Sequence, residues 1–530
     1  MIRTTRFGLV ALAATALLPL TLSAQDPVLG EVEPYTVGSA LPPTTPGSTL
    51  IEMTLEDAIA RALDVNLDLQ SARLNPEIQA YALQGAHAAF SPTLSTSFGF
   101  NNSTSLSTSQ LDGGSSITNE RATLNTSLSK LMPWSGGRLS ANFNNARTET
   151  NNSFATRNPS YSSSINLSFT QPLLAGFSID NQRAALETQE IQTEITDLQL
   201  ESQIENITGQ VQSGYWTLRA TIEQIEIQRL SLAQAEQLLA ENRVRADLGR
   251  ATEFQVIQSE AQVASAQQAL LNAEIQWRNR ELALKQLLLD GAGDPLLTAT
   301  INPVDLPELE IPNVDLDGAV ENALGARTDL RQQREQLEIS DINLDVSRSN
   351  RLPTLDLTAS YALQGVGGDL FQRGDLGGDP LLVSSGGFGD GLQAIADRDA
   401  PTWNVSLNAS YPIGTNAQAT ALERARLQYR QQELALRSQE LGVVTQVTAA
   451  GLAVQNTFLQ YEAAQRSRAA SEQNVAAELA RFEVGVATNF ELVTAQNQLT
   501  TARLSELQAL INHLTAVADF ERVQRVGGGF

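Results

Sequence analysis

The chain has 530 residues, a formal net charge of -24, no cysteine, two histidines and 18% charged residues against 42% hydrophobic ones. That length and hydrophobic content specify a folded protein with a sizeable core. So acidic a surface repels phosphate backbones, which excludes nucleic acid as a natural partner, and the lack of cysteine excludes disulfides, thiolate zinc sites, thiol nucleophiles and a lipidated N-terminal cysteine.

Residues 1–24 read as a secretory signal: Arg3 and Arg6, an apolar stretch from Phe7 to Leu22, then Leu22-Ser23-Ala24 as a cleavage site. Residues 25–50 carry Pro27, Pro34, Pro42, Pro43 and Pro46 and are expected to be an extended tether. A first repeat, 51–300, is expected to hold a helix over 54–90, strands at 93–103, 121–131, 138–148 and 162–172, a long helix at 183–248 and a return helix at 253–289. A second repeat, 301–530, holds a helix at 316–350, strands at 354–364 and 402–412, a long helix at 417–484 and a return helix at 488–524. At about 1.5 Å per residue each long helix spans roughly 100 Å, a length typical of coiled coils.

The two repeats are visible residue by residue. Gly249, Thr252 and Phe254 recur as Gly485, Thr488 and Phe490 at an offset of 236. Leu55, Ala58, Ala62, Asp68-Leu69, Arg73, Glu77 and Pro92 recur as Leu316, Ala319, Ala323, Asp329-Leu330, Arg334, Glu338 and Pro353 at an offset of 261. So long a period indicates a two-fold pseudo-repeat. Ile204, Val211, Leu218, Ile225, Leu232 and Leu239 stand at seven-residue steps, and Val447, Val454, Tyr461, Arg468 and Val475 keep the phase with one polar exception. Such a seam packs against neighbouring helices.

The strands alternate. Leu94, Thr96, Phe98 and Phe100 lie between Ser95, Ser97 and Gly99; Trp403, Val405, Leu407, Ala409 and Tyr411 lie between Asn404, Ser406, Asn408 and Ser410. No segment after the signal has 18 consecutive apolar residues, so a membrane-spanning form has to be a closed β-barrel. Trp134, Tyr361, Trp403 and Tyr411 are then its interface aromatics. An extra hairpin around Pro133-Trp134-Ser135-Gly136-Gly137 gives four strands in the first half and two in the second. Residues 365–391 read as a Gly-rich outer loop; Asp369, Asp375, Asp379 and Asp390 give it a weaker calcium-repeat reading.

With the duplicated helix–strand–helix layout, Gln171-Pro172-Leu173 with Gly176, and the Gly-x-x-Thr turn at each return, the chain resembles the TolC-like outer membrane efflux protein family over about 51–525. The resemblance implies an α+β membrane protein with an internal two-fold repeat. In it a trimeric transmembrane β-barrel continues as a long periplasmic α-helical coiled-coil barrel. It implies a homotrimer in the outer membrane of a Gram-negative bacterium, an exit duct of a tripartite efflux or type I secretion system. Its partners would be outer-membrane lipid, a periplasmic adaptor (membrane fusion protein) and an inner-membrane pump. It makes Gly249, Thr252, Phe254, Gly485, Thr488 and Phe490 adaptor-docking candidates at the tips, and Phe482, Glu491 and Thr494 gate candidates. Phe482 stands where many members have Tyr, Ala487 where some have a basic residue, and Thr494 replaces an acid. Three Glu491 carboxylates around a three-fold axis would hold one another's pKa up and favour cations.

No enzyme motif is present: no Gly-x-Ser-x-Gly, no phosphate loop and no metal-spaced histidine pair, since His87 and His513 stand far apart. No catalytic residue, metal or cofactor is expected. The alternative reading is a secreted trimeric coiled-coil structural protein or adhesin with a β-rich head.

Overall fold

The computed structural model describes residues 38, 40–43, 49–108, 114–305, 314–373, 378–414 and 416–525. The expected signal and most of the expected tether lie outside the described residues. In chain order, β1 (Leu50–Met53), α1 (Leu55–Val65) and α2 (Leu67–Ala88) lead into β2 (Thr93–Leu106), β3 (Ser116–Leu131), β4 (Arg138–Thr150) and β5 (Arg157–Pro172). The chain runs away from this sheet along α3 (Asn181–Asp247) and returns along α4 (Glu253–Leu288) to β6 (Thr300–Pro303). The second pass comprises α5 (Leu316–Ala326), α6 (Thr328–Asn350), β7 (Thr354–Gln372), β8 (Leu381–Ser384), α7 (Phe388–Asp397), β9 (Ala400–Ser410), α8 (Ala417–Glu483) and α9 (Asn489–Gln524).

α3 and α8 each have 67 residues and start at positions offset by 236, as do α4 and α9 with 36 each. The caps repeat too. Asp180 accepts from the amides of Gln182 and Arg183 to start α3, and Asn416 accepts from Ala419 to start α8.

The helices expected over 54–90 and 316–350 are each broken once, at Asn66 and Arg327, which are again repeat mates. The break has a local cause. The Asn66 amide closes α1 onto Ala62 while its side chain accepts from the Leu69 amide (3.0 Å), so one residue ends a helix and caps the next. Its Nδ2 donates to the Leu287 carbonyl (3.1 Å), and Arg61 Nε donates to the Leu288 carbonyl (2.9 Å). These bonds seat α1 and α2 on the end of α4, so two short helices run end to end beside α3.

α3 packs against α2 and α4 on one side and against α6 and α9 on the other; α8 packs beyond α5, α6 and α9. One chain is thus a layer four helices wide. Val211, Leu218 and Ile225 are buried in the α3 seam, and Val447, Val454 and Val475 in that of α8. The polar exception, Arg468, is paired with Glu472 (2.9 Å) and with Glu506 of α9. Burial raises the pKa of the Glu506 carboxyl. Where the helices meet the short parallel β1–β6 pair lies the main core, centred on Trp277, Tyr215, Leu218, Ile222, Leu284 and Leu288. Arg219 pairs there with Glu223 (2.9 Å) and Lys285 with Glu281 (3.4 Å), and the Tyr215 hydroxyl donates to the Met53 carbonyl (3.0 Å).

The long strands form one antiparallel sheet ordered β2-β3-β4-β5-β7-β9, with β8 pairing only the far end of β7. The hairpin around Trp134 belongs to this sheet. The strands outrun their expected bounds: β3 starts at 116, β4 ends at 150, β5 starts at 157 and β7 ends at 372, while β9 covers 400–410. The ladder continues after the apolar alternation stops, and the alternation alone marks the bounds in the sequence.

The expected loop 365–391 is a second correction. Its first part is the end of β7, followed by β8 and the start of α7. Gly365 and Gly367 let α7 lie against the sheet, since a Cβ there would stand 1.9 Å and 2.0 Å from the carbonyl oxygens of Gly391 and Gly387. Asp369 accepts from Ser385 Oγ and the Gly386 amide, and Asp390 from the Gly387 amide. Asp375 lies outside the described residues, and among those described no cluster of acids or histidines is placed to hold a metal ion.

Candidate functional site

The sheet has two chemically distinct faces. Register places Leu94 opposite Leu128, Leu128 opposite Ala141, Ala141 opposite Leu167, Leu167 opposite Tyr361 and Tyr361 opposite Trp403, one apolar row across all six strands. The adjacent row on the other face reads Ser95, Ser127, Asn142, Asn166, Ala362 and Thr402. Phe98, Leu124, Leu139, Leu167, Val405 and Leu407 are exposed although large and apolar. A patch of this size implies an apolar environment. Above it the same face turns polar: Asn102 donates to Glu120, and Thr104 bonds Thr118.

The four aromatics expected at a membrane interface sit at two levels. Trp134, in the β3–β4 turn, and Tyr411, just past β9, mark the end nearest the helices. Tyr361 and Trp403 face each other seven residues along the ladder from the Thr354–Ser410 pair. That separation is roughly 23 Å along the strand, or about 18 Å of height at a tilt near 40°. Leu355, Leu357, Val405 and Leu407 fill the interval, an apolar band bounded by rings.

Among the described residues both long borders of the chain lack a partner: β2 and β9 are free sheet edges. Below them, α8 exposes Leu427, Leu434 and Leu441 at seven-residue steps, then Leu452 and Leu459. On the opposite border α2 exposes Leu67, Leu74 and Tyr81, and α4 exposes Ile275 and Leu282, also seven apart. These are coiled-coil seams without a second strand.

At the far end, each helix pair closes in the same turn. Gly249 (φ 70) and Gly485 (φ 78) take the left-handed conformation. The Arg250 amide donates to the Arg245 carbonyl at 2.7 Å, and the Val486 amide to the Arg481 carbonyl at 2.8 Å. Thr252 and Thr488 cap the return helices. The Thr252 amide donates to Gln255 Oε1 (2.9 Å) and the Thr488 amide to Glu491 Oε2 (2.7 Å). Leu248, Phe254, Val484, Val486 and Phe490 are exposed there.

The gate candidates all lie at the second tip but differ in burial. Phe482 is buried with Leu238, Leu492 and Val493, and the Arg245 guanidinium stacks 4.2 Å over its ring. Thr494 is half-buried, its hydroxyl donating to the Phe490 carbonyl (2.7 Å). Glu491 is exposed, but bonds from the Thr488 amide and hydroxyl hold its carboxyl below the usual carboxylate range. Beside Phe482 lies a polar cluster that sequence reasoning missed. Buried Asn242 Nδ2 donates to Ser259 Oγ (2.8 Å) and to Asn489 Oδ1 (2.9 Å), and Asn489 Nδ2 donates to Gln258 Oε1 (3.2 Å). Its signal was an Asn continuing the buried run Ala235, Leu238, Asn242.

His513 is buried, bonded to Thr457 Oγ1 (3.2 Å), with burial lowering its pKa. Among the described residues no helix is long and apolar enough to cross a membrane.

An apolar-banded antiparallel sheet above a rod of paired helices defines an outer-membrane protein with a periplasmic helical extension. The chain belongs to the Outer membrane efflux protein family, whose profile matches residues 58–288 and 319–523, one span in each repeat. Its members are channel proteins, not enzymes. The chain is 24% identical over 320 residues to the pyoverdine export outer membrane protein OpmQ of Pseudomonas putida, covering 57% of this chain and 60% of that one. It is 23% identical over 377 residues to the outer membrane efflux protein BepC of Brucella suis, covering 68% and 72%. The alignments thus span about three fifths to seven tenths of these relatives. The fold matches the CmeC outer membrane channel of Campylobacter jejuni with a TM-score of 0.62 at 17% identity, over 89% of this chain and 86% of that one.

Proposed function

We propose that the protein is the passive outer-membrane exit duct of a tripartite export system, a homotrimer whose sheets share one barrel and whose helices form a tunnel closed at the tips. The observation that supports it is the pair of unpartnered borders. A layer with a free strand edge and a seven-residue apolar seam on each side is complete only when copies join side to side, and a heterologous contact of that kind closes into a ring. Closure removes the sheet edges that lipid cannot tolerate. The adhesin alternative leaves the exposed apolar band uncovered.

The tips carry the gate and the docking surface. Phe482 under Arg245, with the Asn242–Asn489 contact, ties the second hairpin to the first; Glu491 acts as a helix cap. Leu248, Phe254, Val484, Val486 and Phe490 offer an apolar knob to a periplasmic adaptor, and an inner-membrane pump supplies the energy. The test is a planar-bilayer recording of the purified detergent-extracted protein. Small closed-state steps that grow when Asn489→Ala is introduced support the duct, and a water-soluble, non-conducting protein refutes it.

A further inference from the structure

Granted the trimeric duct proposed above, the strand count sets the size of its pore. β3 and β4 are not an appendage. They pair with β2 from Thr93↔Ser129 to Leu106↔Ser116 and with β5 from Arg138↔Thr170 to Thr148↔Ser160. They also keep the phase of the sheet: Leu124 and Leu128 stand with Phe98 and Leu94 on the apolar face, and Asn125 and Ser127 with Ser97 and Ser95 on the polar one.

We propose that the β3–β4 hairpin is part of the transmembrane wall, and that β2 of one copy pairs antiparallel with β9 of the next. Three copies of six long strands then close a barrel of 18. The partner that fits each free edge is a second copy of this chain.

The two edges match. β2 has 14 residues and β9 has 11. Both faces stay intact across the join only if even-numbered β2 residues oppose odd-numbered β9 residues. Phe98 opposite Val405 satisfies this and brings Phe100 to Trp403 and Leu94 to Ala409. A slip of one residue would turn Asn404, Ser406 and Asn408 toward lipid. The free edge alone is a liability that some partner has to cover.

The diameters match as well. At strand spacings near 4.8 Å and a tilt near 40°, 18 strands close a barrel roughly 36 Å across between backbones, and 12 close one of only about 24 Å. Four helix widths per copy give a ring of twelve, which at about 9.5 Å spacing is roughly 37 Å across. Including the hairpin lets the barrel sit on the tunnel without a neck, so the narrowest point lies at the tips.

The chain has no cysteine, so single cysteines report cleanly. The full-length protein is reconstituted in liposomes and exposed to a membrane-impermeant maleimide. In β3 and β4 the variants are Leu124→Cys, Asn125→Cys, Ala141→Cys and Asn142→Cys; in β5 and β7 they are Asn166→Cys, Leu167→Cys, Leu357→Cys and Thr358→Cys. Labelling at the polar positions and protection at the apolar ones in all four strands is expected. Alternation in β5 and β7 but uniform labelling in β3 and β4 overturns the 18-stranded wall and leaves the duct standing. Loss of alternation in all four refutes the duct itself. Oxidation of double variants that combine Phe98→Cys with Trp403→Cys, Val405→Cys or Leu407→Cys is expected to give a covalent trimer on a denaturing gel in at least one register, and monomer alone in all three overturns the β2–β9 join.

Discussion

The two hairpin tips share a backbone and differ in side chains. Both have the glycine turn, the threonine cap and the exposed phenylalanine, at the same offset. But the second tip has Phe482 where the first has Ala246, and Glu491 where the first has Gln255. Phe482 is filled in by Arg245 of the first hairpin, so the second tip is held from outside itself. The repeat preserves the shape of both ends, and the side chains around Phe482 distinguish them. The experiments that break or sharpen this contrast read local opening at tip amides by hydrogen exchange.

The largest effect is expected at Phe482. Phe482→Ala empties a buried site and removes the ring under Arg245, and it should lower the opening free energy of the second tip by about 3–5 kcal/mol. Phe254→Ala and Phe490→Ala, at exposed positions, should each stay within about 0.5 kcal/mol. Equal effects at all three would abolish the distinction between tips. Next comes Asn242→Ala, which strands Asn489 Oδ1 in a buried site and should cost about 1–3 kcal/mol, with a larger conductance. The outer link from Gln262 to Asn497 (2.9 Å) is solvent-exposed, so Asn497→Ala should leave opening and conductance unchanged.

The duplication, the seams and the alternating strands were legible because each repeats a pattern many times over. What escaped depended on single residues. The break at Asn66 is invisible to periodicity, since Leu63, Leu67 and Leu74 continue an apolar face through it; only the double capping by one side chain makes the stop. The upper parts of β3, β5 and β7 escaped because ladder hydrogen bonds sustain a strand after its apolar alternation has ended. Helix α7 hid in a glycine-rich stretch, where Gly365 and Gly367 serve close packing rather than flexibility. At the tips the turn residues were readable from two matched copies, but Asn242 acts through partners 17 and 247 residues away, which no local pattern links.

Smaller effects test the sameness of the tips. At both Gly249 and Gly485 a Cβ would meet nothing within 4 Å, so Gly249→Ala and Gly485→Ala should each cost about 1–2 kcal/mol for the left-handed backbone alone, and equally. An excess at Gly485 would show that the second turn is strained by its neighbour.

The smallest expected effect separates the caps by charge. Bonds from the Thr488 amide and hydroxyl lower the Glu491 pKa in the closed turn relative to the opened one. A lowered carboxyl contributes stability above its ordinary range, and that contribution is lost as the pH falls through the lowered value. Gln255 makes the matching bond to the Thr252 amide without titrating. After correction for intrinsic exchange, protection of the Thr488 amide should therefore decline on acidification while that of Thr252 holds, and Glu491→Gln should give the second tip the flat profile of the first. A flat Thr488 profile in the unmodified protein would mean that the glutamate, like the glutamine, serves the turn by shape alone.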